Sequence, residues 1–232
     1  MKKRTFRHRV ERTRNKHSRA VCKGETIVIR LARNLSRTEE REHIQSLLRR
    51  MTHLVLEEHQ KIAIDPFRHL LNGGHTHTVL LGSGRTINFS LRAGARTKAL
   101  KTRQGWQIDV SPHIRRAALH RFLWSLVAKS ERTRITVLVH QINHETLRVP
   151  IREVKVRFAT TQWGSCSPQG VIMLNTALLL LPPSLLHYVI IHELAHRNIA
   201  NHSARYWEHV ESVLPTYKRA YRQLQGYRLP QL

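Results

Sequence analysis

The chain has 232 residues, of which 41% are hydrophobic, a fraction typical of a globular protein rather than a disordered one. Its 40 Lys and Arg residues outnumber its 15 Asp and Glu residues, which gives a net charge of +25 and indicates an affinity for polyanions. No apolar run approaches the ~20 residues of a membrane-spanning helix, and two cysteines are too few for a disulfide framework, so we expect a cytoplasmic protein without a membrane partner.

Much of the positive charge lies at the start of the chain. Between Lys2 and Lys23 there are ten basic residues and one acidic residue, Glu11. We therefore expect 1–23 to be a basic, disordered tail that binds nucleic acid through its phosphates without reading a base sequence. A solubilising tail with no specific partner is the other interpretation.

Residues 24–77 are predicted to form a strand-and-helix extension of the main domain. The β-branched run 26–31 is typical of a strand, and apolar residues spaced by three and four over 37–60 predict an amphipathic helix. Ser36 precedes that helix and Glu39 follows three residues later, which is the sequence pattern of a capping box.

Residues 78–232 alternate between short strands and amphipathic helices, and we treat them as one domain. The predicted strands are 78–81, 86–91, 96–101, 106–110, 154–158 and 171–175. The predicted helices are 112–129, 132–147, 185–199, a segment after Ser203, and 216–225. This order predicts an α+β fold in which a small antiparallel sheet packs on helices.

The stretch His192-Glu193-Leu194-Ala195-His196 carries the clearest chemistry in the chain. Residues four apart share one face of a helix, so His192 and His196 can present two imidazoles to one zinc ion. Glu193 lies about 100° round the helix, where its carboxylate can take a proton from a water on the metal. His202, six residues after His196, can supply a third nitrogen and leave a fourth position open, which is typical of a catalytic zinc.

Two further residues are candidates for substrate binding. Tyr206, four residues after His202, could donate to the oxyanion, although a core aromatic is equally consistent with its position. Asn175 could contact substrate or serve turn chemistry. Its strand, 171–175, is either an edge that binds an extended peptide or a strand that completes a sheet. Cys166 is expected to pack rather than to bind metal.

Several short motifs resemble one known family. They are Trp163-Gly164-Ser165-Cys166-Ser167, Gly170, Leu174-Asn175, Tyr188-Val189, His192-Glu193-Leu194-Ala195-His196, Asn201-His202-Ser203 and Tyr206-Trp207. In this order and spacing they resemble the YgjP-like predicted metallopeptidases, whose active-site layout is similar to that of SprT-like and WLM metalloproteases. The resemblance is most specific over 151–232 and extends less specifically over 78–232.

The resemblance implies a zincin-like metallopeptidase domain with a protein or peptide substrate. It implies that His192, His196 and His202 bind Zn²⁺ and that Glu193 is the catalytic acid/base. An action on nucleic-acid-associated proteins would fit the basic tail. Two alternatives stay open: a zinc hydrolase of a small amide, and a basic nucleic-acid-binding module whose zinc only stabilises the fold.

Overall fold

The computed structural model describes residues 7–23 and 26–231. The chain divides into two compact units, one ending at Ile62 and one beginning at Ala63. The segment 63–77, which we expected in the N-terminal extension, therefore belongs to the second unit. In the part of the chain that is described, no helix is both long and apolar enough to cross a membrane.

The first unit is a three-stranded sheet with one long helix. Its elements are β1 (Arg7–Arg12), β2 (Arg19–Lys23), β3 (Thr26–Leu31) and α1 (Arg37–Gln60). The strand order is β1-β3-β2, with β1 parallel and β2 antiparallel to the central β3. The predicted bounds of β3 and α1 are confirmed.

One face of this sheet is apolar and packs on α1. Ile27, Ile29 and Leu31 are fully buried and contact a helix stripe. The stripe residues of α1 are Ile44, Leu47, Leu48 and Met51. The capping box is confirmed, because the Glu39 backbone N–H donates to the Ser36 hydroxyl and the Ser36 N–H donates to the Glu39 carboxylate at 2.7 Å.

The expectation of a disordered tail is wrong for residues 7–23. They supply both outer strands, in which Val10 and Ala20 pack against the buried apolar residues of β3. The charge of the whole segment does not reveal these strands, because a strand that packs on one face needs apolar residues only at alternate positions. Residues 1–6 of the predicted tail lie outside the described part of the chain.

The second unit contains the remaining elements. Its strands are β5 (Thr76–Leu80), β6 (Thr86–Ala93), β7 (Lys98–Lys101), β8 (Trp106–Val110), β9 (Glu153–Arg157), β10 (Gly164–Cys166), β11 (Val171–Asn175) and β12 (Tyr227–Arg228), with β4 (Ile62–Ala63) at the boundary. Its helices are α2 (Arg68–Leu71), α3 (Arg116–Glu145), α4 (Pro183–Ala195), α5 (Ala204–Val213) and α6 (Tyr217–Gln225), with a 3₁₀ turn at Thr176–Leu180.

The two larger sheets of this unit are mixed rather than antiparallel. The first has the order β5-β6-β8-β7, in which β6 and β8 are parallel. The second has the order β10-β11-β9, in which β9 and β11 are parallel and β10 is antiparallel to β11. The α+β class is confirmed, and the antiparallel sheet is corrected, because β6 pairs with β8 past β7 and β9 pairs with β11 past β10.

Helix α3 is one continuous helix where two were predicted. The break expected near residue 130 is absent because Ser130 and Glu131 both have partners in the fold. The Ser130 hydroxyl accepts the indole N–H of Trp106 at 2.9 Å. The buried Glu131 carboxylate is paired with Arg85 and Arg134. Tertiary partners therefore let polar residues continue the helix.

A single apolar core organises the second unit around α3 and α4. Trp124 of α3 is fully buried, stacks on Phe158 at 5.3 Å between ring centroids and meets Phe67 edge to face. Leu185, Ile190 and Ile191 place α4 in the same core. The helix that carries the histidines is therefore held rigidly along most of its length.

Candidate metal centre

Helix α4 begins and ends where the site requires. Pro183 occupies its first turn, where a missing backbone N–H costs nothing. The helix ends at Ala195, so His196 is the C-cap residue. The chain then reverses direction before α5 starts at Ala204. This reversal returns His202 to the face of α4 that carries the other two histidines.

Three imidazoles converge, and each presents its Nε2 atom to the others. The Nε2 atom of His202 lies 3.1 Å from Nε2 of His196 and 3.2 Å from Nε2 of His192. These three residues form the one group of His, Cys, Asp or Glu side chains in the described residues that is spaced to hold a metal ion. His192 and His196 are half-buried and His202 is exposed, so the group opens to solvent on one side.

Hydrogen bonding and burial favour the neutral form of His192 and His196. The Nδ1 atom of His196 faces the Ile199 carbonyl at 3.1 Å, and a carbonyl only accepts, so Nδ1 carries the proton and Nε2 keeps its lone pair. Burial, with smaller contributions from His196 and His202, lowers the pKa of His192 to about 3. Burial also lowers the pKa of His196. Neutral imidazoles are the form that binds metal.

Glu193 occupies a buried position beside the histidines. Its side chain is 5% exposed, and burial raises its pKa to about 8. A Cβ atom at Gly164 would lie 2.5 Å from Oε1 of Glu193, so strand β10 passes directly against this carboxyl group. The glycine thus makes room for the carboxylate, a role that its turn-like sequence context did not reveal.

Tyr206 supports the histidines from below. It is fully buried, and its hydroxyl donates to the backbone carbonyl of His192 at 2.9 Å. Its ring stacks on His196 with 4.6 Å between centroids and meets the rings of His192 and His202 edge to face. This agrees with the interpretation of Tyr206 as a core aromatic, since its hydroxyl satisfies a carbonyl in the last turn of α4; a role in substrate binding stays a prediction.

A second aromatic layer supports the exposed third histidine. Trp207 stacks on His202 with 5.6 Å between ring centroids, and Tyr217 of α6 stacks on the other side of Trp207 at 5.4 Å. Trp207 is partly buried against the core, as expected for a packing aromatic. This stack of rings fixes the orientation of the exposed His202 side chain.

Arg197, which the sequence interpretation did not single out, ties the end of α4 to neighbouring loops. Its guanidinium donates to the carbonyls of Pro150 at 3.1 Å, Ser167 at 3.3 Å and Pro168 at 2.7 Å. These bonds hold the residue next to His196 against the turn between β10 and β11. A basic residue directly after the second histidine was the only sequence signal for this role.

The hydrogen bonds of Asn175 agree with the turn-chemistry interpretation, and its contact with substrate stays a prediction. Asn175 is fully buried, and its amide donates to the carbonyls of Ala159 and Gln162 while its oxygen accepts the N–H of Ala177 at 3.0 Å. Cys166 also stands apart from the three histidines: its thiol contacts the Ser167 carbonyl, and burial raises its pKa. The expectation that Cys166 packs is consistent with this geometry.

No curated protein matches the chain. Among solved structures, the crystal structure of the metallopeptidase zymogen of Pyrococcus abyssi abylysin is similar, at 26% identity over 42% of this chain and 99% of that chain, with a TM-score of 0.37.

A family model described as the YgjP-like metallopeptidase domain matches residues 16–227. The match includes β2, β3 and α1, which we had placed outside the 78–232 domain. It thus extends over nearly all of the described chain. This protein belongs to the YgjP-like metallopeptidase family.

Proposed function

We propose that the protein is a zinc-dependent peptidase in which His192, His196 and His202 bind Zn²⁺ and Glu193 is the catalytic acid/base. The observation that carries this proposal is the convergence of three imidazoles, in which Nε2 of His202 lies 3.1 Å from Nε2 of His196 and 3.2 Å from Nε2 of His192, next to a buried carboxyl group. Both features belong to one helix turn and the chain reversal after it.

The donor set fits zinc. Two nitrogens bound tetrahedrally at the usual Zn–N distance lie ~3.3–3.4 Å apart, close to the separations in this group. The Nδ1 atom of His192 is buried and has no hydrogen-bond partner among the described residues, so Nε2 is the atom through which this side chain can gain a ligand. Three nitrogen ligands and a solvent-exposed side are typical of a catalytic zinc rather than of a closed structural one.

When bound, zinc supplies a Lewis acid that polarises a carbonyl and acidifies water. The chain itself supplies the proton carrier. A carboxyl group whose pKa is about 8 can both accept and return a proton near neutral pH, and Glu193 has that property because it is buried. We propose that Glu193 takes a proton from the water that attacks the scissile carbonyl. It then passes this proton to the leaving amine as the C–N bond breaks.

The substrate is proposed to be an extended protein or peptide segment that pairs with β10. Strand 171–175, for which the sequence left an edge position and a place within the sheet both open, is central, whereas β10 is an edge strand. Gly164 of β10 also contacts Glu193, so a strand added at this edge would pass beside the carboxylate. We further propose a cytoplasmic location and nucleic-acid-associated proteins as substrates, on the strength of two cysteines and the net charge.

The central test is Glu193→Gln in the zinc-loaded protein. Glutamine preserves the size of the side chain but cannot accept a proton, so peptide hydrolysis should fall by at least ~10²–10⁴-fold. Zinc content, measured by metal analysis, should stay at one ion per chain because all three histidines remain. The matched control is Glu208→Gln, an exposed carboxylate on α5, which should leave both readouts unchanged.

Two results would contradict the assignment. If hydrolysis survives in Glu193→Gln, Glu193 is not the catalytic acid/base. If that variant loses zinc, Glu193 is a metal ligand. A panel of unfolded proteins, short peptides and small amides then separates the remaining alternatives. Cleavage of the small amides alone would favour an amide hydrolase, and zinc binding without any cleavage would favour a structural zinc site.

A further inference from the structure

One face of the sheet in the first unit is opposite to α1. Residues paired across strands share a face, and alternate residues of a strand point to opposite faces. The register therefore places three rows on the outer face: Arg7, Thr26 and Lys23; Arg9, Val28 and Val21; and Glu11, Arg30 and Arg19. The apolar row of β3 that packs on α1 lies on the other side.

This outer face, here named the basic face, is defined by its five cations. They are Arg7, Arg9, Arg19, Lys23 and Arg30. Glu11 is the one carboxylate among the described residues of the face, and it bonds both Arg9 and Arg30. These two partners hold the pKa of Glu11 below its usual range, with Arg30 contributing most. The carboxylate thus orders two cations and leaves the face strongly positive.

The remaining three cations of the basic face are exposed and available. Arg7, Arg19 and Lys23 are solvent-exposed, and within the described ranges none of them forms an ion pair. The loop between β1 and β2 adds Arg14 and Lys16, both exposed. The loop lies beside the end of β3, where the Arg33 N–H donates to the Asn15 carbonyl at 3.2 Å.

Charges on the helix side of the same unit are neutralised. Arg12, which points toward α1, makes two hydrogen bonds to the Glu40 carboxylate, at 2.9 and 2.8 Å. Helix α1 contains four arginines and five glutamates, so its own charge is nearly balanced. The charge of the sheet is therefore carried mainly by the basic face, while α1 adds almost none.

We infer that the basic face binds the phosphate backbone of nucleic acid. A flat array of cations on three strands fits a polymer of phosphates better than a single small anion, because each cation can meet a different phosphate. Membrane binding usually needs apolar or aromatic side chains that enter the lipid. The described rows of this face contain only Val21 and Val28 as apolar residues, and Val28 is 3% exposed.

The expected binding is independent of base sequence. The described rows of the basic face contain no aromatic side chain on which bases could stack, so affinity should depend on phosphate contacts and counterion release. The inference goes beyond the peptidase proposal, and binding can be measured whether or not the protein cleaves peptides. If both proposals hold, this face brings the metal centre to proteins on nucleic acid.

The test measures binding of the full chain to a fluorescent duplex DNA over a series of salt concentrations. A face variant carries Arg7→Gln, Arg19→Gln and Lys23→Gln. A control variant removes the same charge from α1 by Arg41→Gln, Arg49→Gln and Arg50→Gln. We expect the negative slope of log affinity against log salt to become shallower by up to ~2–3 in the face variant, about 0.9 for each phosphate contact. The control should keep a slope near that of the wild type.

Equal losses in both variants would overturn the inference, because the effect would then be one of net charge. It would also be overturned by wild-type binding that does not weaken as salt rises. Tighter binding to phosphatidylserine vesicles than to DNA, lost only in the face variant, would identify a membrane partner instead. Circular dichroism checks that each variant is folded. If the triple variant unfolds, each of the three single variants should make the negative slope shallower by ~0.9.

Discussion

At the scale of single residues, the position of the Glu193 carboxyl group depends on the absence of a side chain at Gly164. The motif that contains Glu193 was visible in the sequence because its helical spacing is local. The contact with Gly164 joins residues far apart in the chain, so no periodicity could show it. Gly164 lies in β10, a strand of three residues whose backbone passes against Glu193.

Gly164→Ala tests this contact. The new methyl group would lie 2.5 Å from Oε1 of Glu193 and must displace it, so peptide hydrolysis should fall by about 100-fold, as misplaced catalytic groups do. Zinc content should be unchanged. In a Glu193→Ala background the same substitution should cost less stability in denaturant titration, because its clash partner is gone. Equal costs in both backgrounds would show that the glycine acts elsewhere.

The sequence allowed two roles for Tyr206, an oxyanion donor and a core aromatic. Its position after His202 allowed an oxyanion donor, but in the fold its hydroxyl is bonded to the His192 carbonyl. Tyr206→Phe should lower the free energy of unfolding by ~1–3 kcal/mol, because a carbonyl in a buried environment loses its donor. Zinc affinity should fall by about 10–100-fold, as for other groups that orient a ligand.

The matched control is Tyr221→Phe, an aromatic that is 43% exposed beside Trp207. It should change neither stability nor zinc affinity measurably. A different pattern in Tyr206→Phe would favour the oxyanion role: kcat reduced by ~10²–10³-fold with zinc affinity and stability intact.

At the scale of elements, local patterns predicted bounds well and partners poorly. Helix α1 and its capping box followed from spacing and from Ser36 and Glu39, which interact within one turn. Strand β11 was predicted as an element, yet its place at the centre of the sheet was not. Helix α3 was divided in two because the partners of Glu131 and Ser130 come from other parts of the chain.

The junction of β11 and the following 3₁₀ turn depends on Asn175. Asn175→Ala removes both donors to the carbonyls of Ala159 and Gln162, so we expect a loss of ~2–4 kcal/mol in the free energy of unfolding. Gln141→Ala, which removes an exposed amide on α3, should cost less than ~0.5 kcal/mol. Denaturant titration of both variants is the measurement. A near-neutral Asn175→Ala would favour the role of this residue as a substrate contact.

At the scale of the whole molecule, the described residues form two apolar cores, and the three histidines belong to the unit that contains the larger one. A ligand that binds only the folded state raises stability, by ~2.7 kcal/mol when its concentration is 100 times its Kd. Zinc should therefore raise the temperature of the calorimetric transition that belongs to the second unit, and a chelator should reverse the change.

His202→Ala should abolish this zinc-dependent increase, because it leaves two nitrogens where three are needed. His140→Ala removes an exposed histidine of α3 and is the matched control, in which the increase should persist. A zinc-dependent increase that survives in His202→Ala would place the bound metal at another group of residues.

The sequence by itself determined the metal motif, most helix and strand bounds, the α+β class and the family, because all of these depend on spacing within short segments. Only the tertiary structure decided that the basic segment forms strands, that β10 and not β11 is the edge, and that Gly164, Tyr206 and Arg197 hold the site. Each of these depends on which distant segments pair or pack. Such contacts depend on the burial of a whole core, which no short window of sequence contains.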